Sequence, residues 1–244
     1  MPIIITADDF GYSAETVDAT ISCFEQRALT SASIMVNMPA SERAISFAKQ
    51  HPKFSFGVHL TFVSNGYEHP VCGAQQLPHL VSSNGQFMNS NVVRILALLR
   101  CLSVEEIACE MSAQLGKLRD FGVPISYVDS HGHLHKFAPF LCAMRSVLPR
   151  FGIRRVRGVQ NFYLKPPRKS PTYWFSPIWR KQIRKYFLST DYFYMPASGG
   201  DKRWGPRVLQ KLPPGTLEVG VHPGRDTKWQ ADETASVLQF ADEA

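Results

Sequence analysis

The stretch Ile3-Ile4-Ile5-Thr6-Ala7-Asp8-Asp9-Phe10-Gly11 opens the chain with a β-branched run that ends in two adjacent carboxylates and a glycine. Such a run is typical of a strand that is buried on both faces, as the strands of a parallel sheet are when helices cover it. Charged residues at the end of a buried strand indicate a functional site. The stretch therefore predicts a parallel sheet and a site at the carboxyl end of its first strand.

Further strands and helices alternate along the chain. Apolar residues at helical spacing occupy residues 13–27, and a strand-like run follows at 31–37. The same patterns predict helices over 41–50, 104–121 and 139–148 and strands over 54–60, 125–130 and 217–221. Ser103 and Glu106 predict a capping box at the start of the helix over 104–121. The proline-rich residues 165–177 are predicted to be irregular.

This alternation favours parallel strands covered by helices, in either a closed barrel or an open doubly wound sheet. The pattern does not choose between the two. Acidic or imidazole side chains follow several of the strand-like runs: Asp8 and Asp9, His59, His131 and His222. In a parallel barrel such strand ends meet at one face, where active sites are built.

Length and composition fit one α/β domain that spans residues 1–244. With 44% hydrophobic and 19% charged residues, the chain has enough apolar material for a core and lacks the charge excess typical of disorder. No apolar run approaches the roughly 20 residues that span a bilayer, and the N-terminal residues do not resemble a signal peptide. We therefore expect a cytoplasmic protein, with a peripheral location at the inner face of the membrane left open. The five cysteines are widely spaced without a C-x-x-C pair, which indicates neither a disulfide framework nor a thiolate zinc site.

The adjacent carboxylates Asp8 and Asp9 suit a division of labour in metal-assisted chemistry. Two neighbouring carboxylates repel each other, which raises the pKa of one of them unless a cation lies beside them. One carboxylate can therefore bind a metal ion while the other accepts a proton from water. The alternative is an exposed pair at a helix entry, where Asp is common.

Three histidines lie close together in Asp129-Ser130-His131-Gly132-His133-Leu134-His135. Imidazole is a common ligand for transition metals, and alternate residues of an extended segment point the same way. We expect His131, at the strand end, to bind a metal ion, and we expect His133 and His135 to orient it or to line the pocket. A solvated polar loop is the alternative.

Two single histidines also end strand-like runs, His59 in Gly57-Val58-His59 and His222 in Val221-His222-Pro223-Gly224. Either one alone is more often a structural histidine, and that alternative stays open for both. Pro223-Gly224 predicts a tight turn directly after His222. The acidic pair, the histidine cluster and these two histidines together indicate one shared site.

With these motifs assembled, the sequence resembles the YdjC-like family, whose best-understood branch is the chitooligosaccharide deacetylases. The matching motifs are Ala7-Asp8-Asp9-Phe10-Gly11, Gly57-Val58-His59, Asp129-Ser130-His131-x-His133-x-His135 and His222-Pro223-Gly224. They follow the family's order and extend over most of the chain. The resemblance implies a single-domain α/β fold, a distorted (β/α) barrel similar to that of the polysaccharide deacetylases.

The resemblance also implies roles for individual residues. Three side chains would hold one divalent metal ion: Asp9, His59 and His131. Asp8 would then act as the general base and His222 as the general acid. Arg157 is the candidate for an arginine that the family carries after the histidine cluster, and Asp129 would bind substrate or orient a ligand. The family is usually ascribed Mg²⁺, whereas two imidazoles and one carboxylate are better suited to Zn²⁺ or another transition ion.

The implied activity is that of an N-deacetylase releasing acetate from an N-acetylated sugar, either a chito-oligosaccharide or a lipid-linked or anionic glycan. A metal-dependent hydrolase of another amide or ester is the alternative enzyme, because fold and ligands do not define the substrate. A non-catalytic, metal-stabilised glycan-binding protein is the alternative outside the enzymes. Asp8 distinguishes these classes, because a binding protein does not need a second carboxylate beside the ligand.

The net charge of +7 is unevenly distributed. Between Arg150 and Lys185 there are eleven Lys and Arg residues and no Asp or Glu, and Tyr, Trp and Phe residues lie among them. Basic charge with interfacial aromatics favours anionic membranes, so residues 150–187 predict contact with such a surface. Sugar stacking and a solvated loop whose aromatics fill gaps are the alternatives. We expect no nucleic acid as a partner, because no binding motif accompanies the charge, and a homodimer stays open.

Overall fold

A computed structural model describes residues 2–64, 66, 68–196 and 204–243 of the chain. Its sheet has six parallel strands in the order β4-β3-β2-β1-β6-β5. The strands are β1 (Ile3–Phe10), β2 (Ser31–Ile34), β3 (Ser55–Leu60), β4 (Tyr127–Ser130), β5 (Tyr192–Tyr194) and β6 (Leu217–Val221). The helices are α1 (Ala14–Glu25), α2 (Ser41–Gln50), α3 (Ser90–Leu98), α4 (Val104–Asp120), α5 (Ala138–Val147), α6 (Pro171–Tyr186), α7 (Trp204–Gln210) and α8 (Lys228–Glu243).

An irregular segment after α5 lies between the two edge strands of the sheet. Val156 forms a parallel bridge with Val128 of β4, and Arg155 forms one with Leu188, shortly before β5. The segment therefore lies between the edge strands β4 and β5, which do not pair with each other. The parallel strands form a distorted (β/α) barrel. This confirms the predicted fold class and decides between the barrel and the open sheet.

Local sequence accounts for where the predicted helices begin. Ser13 caps α1 by accepting a hydrogen bond from the backbone of Thr16, and the Thr16 hydroxyl accepts one from the Ser13 backbone in return. Ser103 caps α4 by accepting from the Glu106 backbone. The capping box predicted there is only half formed, because the Glu106 carboxylate accepts hydrogen bonds from the backbone and ring of His79 instead.

The prediction that residues 165–177 are irregular is wrong for their second half. α6 begins at Pro171, where a missing backbone N–H costs nothing, because the first turn of a helix has no acceptor for it. Pro177 lies within the helix and is exposed, so the helix continues through it with one backbone hydrogen bond fewer. In the described parts of the chain no helix is both long and apolar enough to cross a membrane.

Candidate metal centre

β1 has a bulge at its end, where both carboxylates of the acidic pair lie near His59. Ala7 pairs with Ala32 and Phe10 with Ile34, so β1 has one more residue than β2 over this interval. Asp9 has a φ of 57°, in the left-handed region that Asp tolerates better than most residues. Successive side chains of a regular strand would point to opposite faces, and the bulge removes that alternation.

The three predicted ligands converge. Asp9 Oδ1 lies 3.2 Å from His59 Nε2 and 2.9 Å from His131 Nδ1, and one ligand atom from each residue lies within 4.8 Å of the others. Two ligand atoms bound at right angles, each about 2.1 Å from one ion, are ~3.0 Å apart. The spacing and the donor types therefore fit a single divalent cation.

Asp129 orients the buried imidazole of His59. Its Oδ1 lies 2.8 Å from His59 Nδ1 and also accepts from the Ser33 hydroxyl. This contact directs Nε2 of His59 towards Asp9, which is the carboxylate–histidine arrangement that supports many metal sites. Burial opposes a charge on the ring, but the carboxylates of Asp129, Asp9 and Asp8 outweigh it and raise the pKa of His59 to about 10.

Arg157 connects the acidic residues beneath the site. Its buried guanidinium lies 2.7 Å from Asp8 Oδ2, 2.8 Å from Asp129 Oδ2 and 2.7 Å from Glu218 Oε1. Asp8, His59 and Asp129 form a second geometric candidate for a metal group, but there Arg157 already supplies the positive charge. The group around Asp9 is therefore the better cation site.

His222 approaches the site from β6. Its Nε2 lies 4.0 Å from Asp8 Oδ2, and its Nδ1 lies 3.8 Å from Glu233 Oε1 of α8. Burial disfavours a charged ring, but Glu233, Asp9 and Asp8 outweigh this and raise the pKa of His222 to about 9. In the metal-free protein the ring is therefore protonated at neutral pH.

The histidine cluster is not the extended segment that the sequence predicts. Residues His131–Lys136 form a turn that is kinked at Gly132 and His133, whose φ values are 66° and 55°. His135 turns inward and shares a hydrogen bond with the Ser130 hydroxyl, and burial above all lowers its pKa to about 3. His133 packs against the ring of Phe193 and lines a cavity of about 150 Å³. Of the three histidines, only His131 joins Asp9 and His59.

Two charged residues at the site are absent from the prediction. Glu218 lies within the apolar run of β6, and a buried carboxylate there needs a cationic partner, which is the signal that could have paired it with Arg157. Glu233 lies on α8 and accepts from the backbone N–H of His222. No spacing in the sequence connects it to the site.

Known proteins resemble the chain in sequence. Residues 2–243 match the model of the family described as YdjC-like protein. A carbohydrate deacetylase of Brevibacillus brevis is 36% identical over 135 residues, 55% of this chain and 50% of that protein. A carbohydrate deacetylase of Geobacillus stearothermophilus is 32% identical over 158 residues, 63% of this chain and 59% of that protein. The matches thus span between half and three fifths of these relatives.

Solved structures share the fold. A protein from Enterococcus faecalis, provisionally named a cellobiose-phosphate cleavage protein, has a TM-score of 0.78 at 20% identity and covers 99% of this chain and 92% of that one. The lactam utilization protein from Thermus thermophilus has a TM-score of 0.57 at 17% identity and covers 100% of this chain and 96% of that one. At these identities the likeness concerns the fold alone.

Proposed function

The chain belongs to the YdjC-like family, and from that premise we propose that it is a metal-dependent carbohydrate N-deacetylase. The observation that carries the proposal is the convergence of Asp9, His59 and His131 beside Asp8 and His222. This arrangement offers a cation site, a proton acceptor and a proton donor within one cluster. The reaction would release acetate from an N-acetylated sugar.

Asp9, His59 and His131 would hold the cation. When bound, a divalent cation would polarise the acetyl carbonyl and lower the pKa of a water molecule beside it. Two imidazoles favour Zn²⁺ or another transition ion, whereas the family resemblance suggests Mg²⁺. Metal content after purification and metal-dependent turnover would identify the ion.

Asp8 is suited to accept a proton from the attacking water. Its Oδ2 is held by Arg157, whereas its Oδ1 is buried without a hydrogen-bond partner among the described residues. A fixed carboxylate with one uncommitted oxygen is already oriented for proton transfer, so little reorganisation accompanies the reaction. The Arg157 charge also offsets the burial of the Asp8 carboxylate.

His222 is suited to donate a proton to the departing amine. An amine leaves poorly unless it is protonated, and His222, with its raised pKa, carries a proton at neutral pH. Glu233 holds the opposite side of the ring, so Nε2 is the nitrogen on the Asp8 side. Acid and base would then act from neighbouring positions.

Two substitutions test the proposal. Asp8→Asn keeps the shape of the side chain but removes the proton acceptor, and we expect kcat for acetate release from N-acetylated oligosaccharides to fall by ~10²–10⁴-fold. Metal content should stay near one ion per chain in this variant. His131→Ala should instead lose the metal ion.

Asp120→Asn is the matched control, because Asp120 is exposed at the end of α4. It should leave both turnover and metal content unchanged. Unchanged turnover in Asp8→Asn would remove this residue from the mechanism. Full metal content in His131→Ala would refute the ligand set.

A further inference from the structure

We propose that α3 and α6 dock the protein onto an anionic lipid surface beside the candidate metal centre. Exposed apolar side chains and charge support this docking surface, so it does not depend on the deacetylase activity. Both helices flank the turn His131–Lys136, which carries one of the proposed metal ligands.

α3 presents an apolar face to solvent. Val92, Ile95, Leu98 and Leu99 are between 44 and 67% exposed. Val92, Ile95 and Leu98 lie three residues apart, and Leu99, directly after the helix, lies four residues after Ile95. They form one side of the helix, whereas Val93 and Ala97 are buried on the other. Single exposed apolar residues are common in soluble proteins, but a contiguous apolar face marks an interaction surface.

α6 carries a stripe that is apolar at one end and basic at the other. Trp174 and Ile178 are 65% and 56% exposed, and Lys181 and Lys185 continue the same stripe at helical spacing. Phe175 is exposed beside it. Because these side chains are exposed, they do not fill gaps beneath a loop, which was the alternative for this segment.

Both helices contact the same turn. The Arg94 guanidinium of α3 donates to the Gly132 carbonyl at 3.2 Å. On α6, the ring of Trp179 lies 5.0 Å from Lys136 Nζ and packs against Phe137. A surface bound by the two helices would therefore lie next to the turn that begins with His131.

The charge around α3 and α6 indicates which kind of surface they would bind. The sequence contains no Asp or Glu in residues 69–104 or 130–190. Basic side chains beside exposed Trp, Phe and Ile complement a surface that is anionic outside and apolar within. A symmetric contact with a second copy would instead bring two acid-free surfaces together, which like charges oppose.

The test is co-sedimentation of the whole chain with vesicles of phosphatidylcholine alone and with about one third phosphatidylglycerol. We expect binding to the anionic vesicles at low salt and its loss at high salt. The double variant Lys181→Gln/Lys185→Gln should bind ~30-fold more weakly, since each lysine near an anionic surface contributes ~5-fold. Its matched control is Lys49→Gln/Lys211→Gln, because both lysines are exposed, Lys49 on α2 and Lys211 directly after α7.

The apolar contribution is tested with Trp174→Ser/Ile178→Ser, for which we expect at least ~10-fold weaker partition. Phe121→Ser is the control, because Phe121 is exposed at the end of α4. Equal binding of neutral and anionic vesicles would overturn the proposal, as would equal losses in test and control variants. The proposal would also be wrong if the protein did not bind vesicles and instead formed a dimer that Trp174→Ser/Ile178→Ser dissociates. The surface would then serve self-association. Vesicle binding is measured without substrate, so a failed deacetylase assay leaves this result intact.

Discussion

Binding of a divalent cation should expel a proton from His59. With its pKa raised to about 10, this ring carries a proton at pH 7.5 before an ion binds. A ring that donates to Asp129 from Nδ1 can bind a cation only through a deprotonated Nε2. We therefore expect about one proton to be released per ion from His59 at pH 7.5.

The apparent affinity should also rise with pH. Because one proton competes with the ion, affinity should increase ~10-fold per pH unit below the pKa of His59. The stability of the metal-free protein should change with pH in the opposite direction. The folded-state pKa of His59 is about 10, against a usual value of 6.5, so its protonation stabilises the fold at low pH. That contribution is complete below about pH 6.5 and is lost as the pH rises towards 10.

Calorimetric titration with Zn²⁺ or Mg²⁺, repeated in buffers of different ionisation enthalpy, measures the released protons. The Asp129→Asn variant should release fewer protons on binding the ion, because it lacks the carboxylate that contributes most to raising the pKa of His59. His51→Gln, at the end of α2, is the control and should behave as the parent. Stoichiometric binding with no proton release and no pH dependence would refute the assigned charge state.

Three further predictions concern the acid, the buried arginine and the bulge. Turnover should fall as the pH rises through the pKa of His222, because the ring would then lose the proton that it is proposed to donate. Glu233→Gln should move this fall towards neutral pH, since Glu233 helps to raise that pKa, and a pH profile identical to the parent would contradict the pairing. Arg157→Met should lower the free energy of unfolding by ~3–5 kcal/mol, because it leaves buried carboxylates without their cation. An unchanged midpoint of urea unfolding would show that Arg157 does not compensate these charges. Asp9→Asn and Asp9→Val should both lose the metal ion, and Asp9→Val should be less stable than Asp9→Asn by ~1–2 kcal/mol, because Asn tolerates a φ of 57° and a β-branched residue does not. Equal melting temperatures of these two variants would argue against backbone strain at this position.

The sequence predicts that Asp9, His59 and His131 share one site because each of them lies at the end of an apolar strand. Parallel strands bring their carboxyl ends to one edge, so Asp9, His59 and His131 meet even though they are distant along the chain. The inward position of His135 and the contact of His133 with Phe193 could not be predicted, because positive φ values at Gly132 and His133 kink this segment. Glu233 was missed for a different reason, since its contact with His222 requires α8 to pack beside β6.

Secondary structure is predictable where periodicity is regular. The helix over residues 41–50 has the bounds of α2, and the strand over 217–221 has those of β6. α6 was missed because two prolines favour a loop reading, although one begins the helix and the other is exposed. α3 was also missed, since its apolar face points outward and its core-facing side is small.

Because of the extra residue in β1, the positions of the Asp8 and Asp9 carboxylates depend on the number of residues in the strand as well as on the type of side chain. Removing one residue there would restore a straight strand and turn one of the two carboxylates towards the helical layer. Transplanting the acidic pair alone into a regular barrel would consequently not recreate the constellation. A redesign would have to copy the kinked backbone together with the side chains it presents.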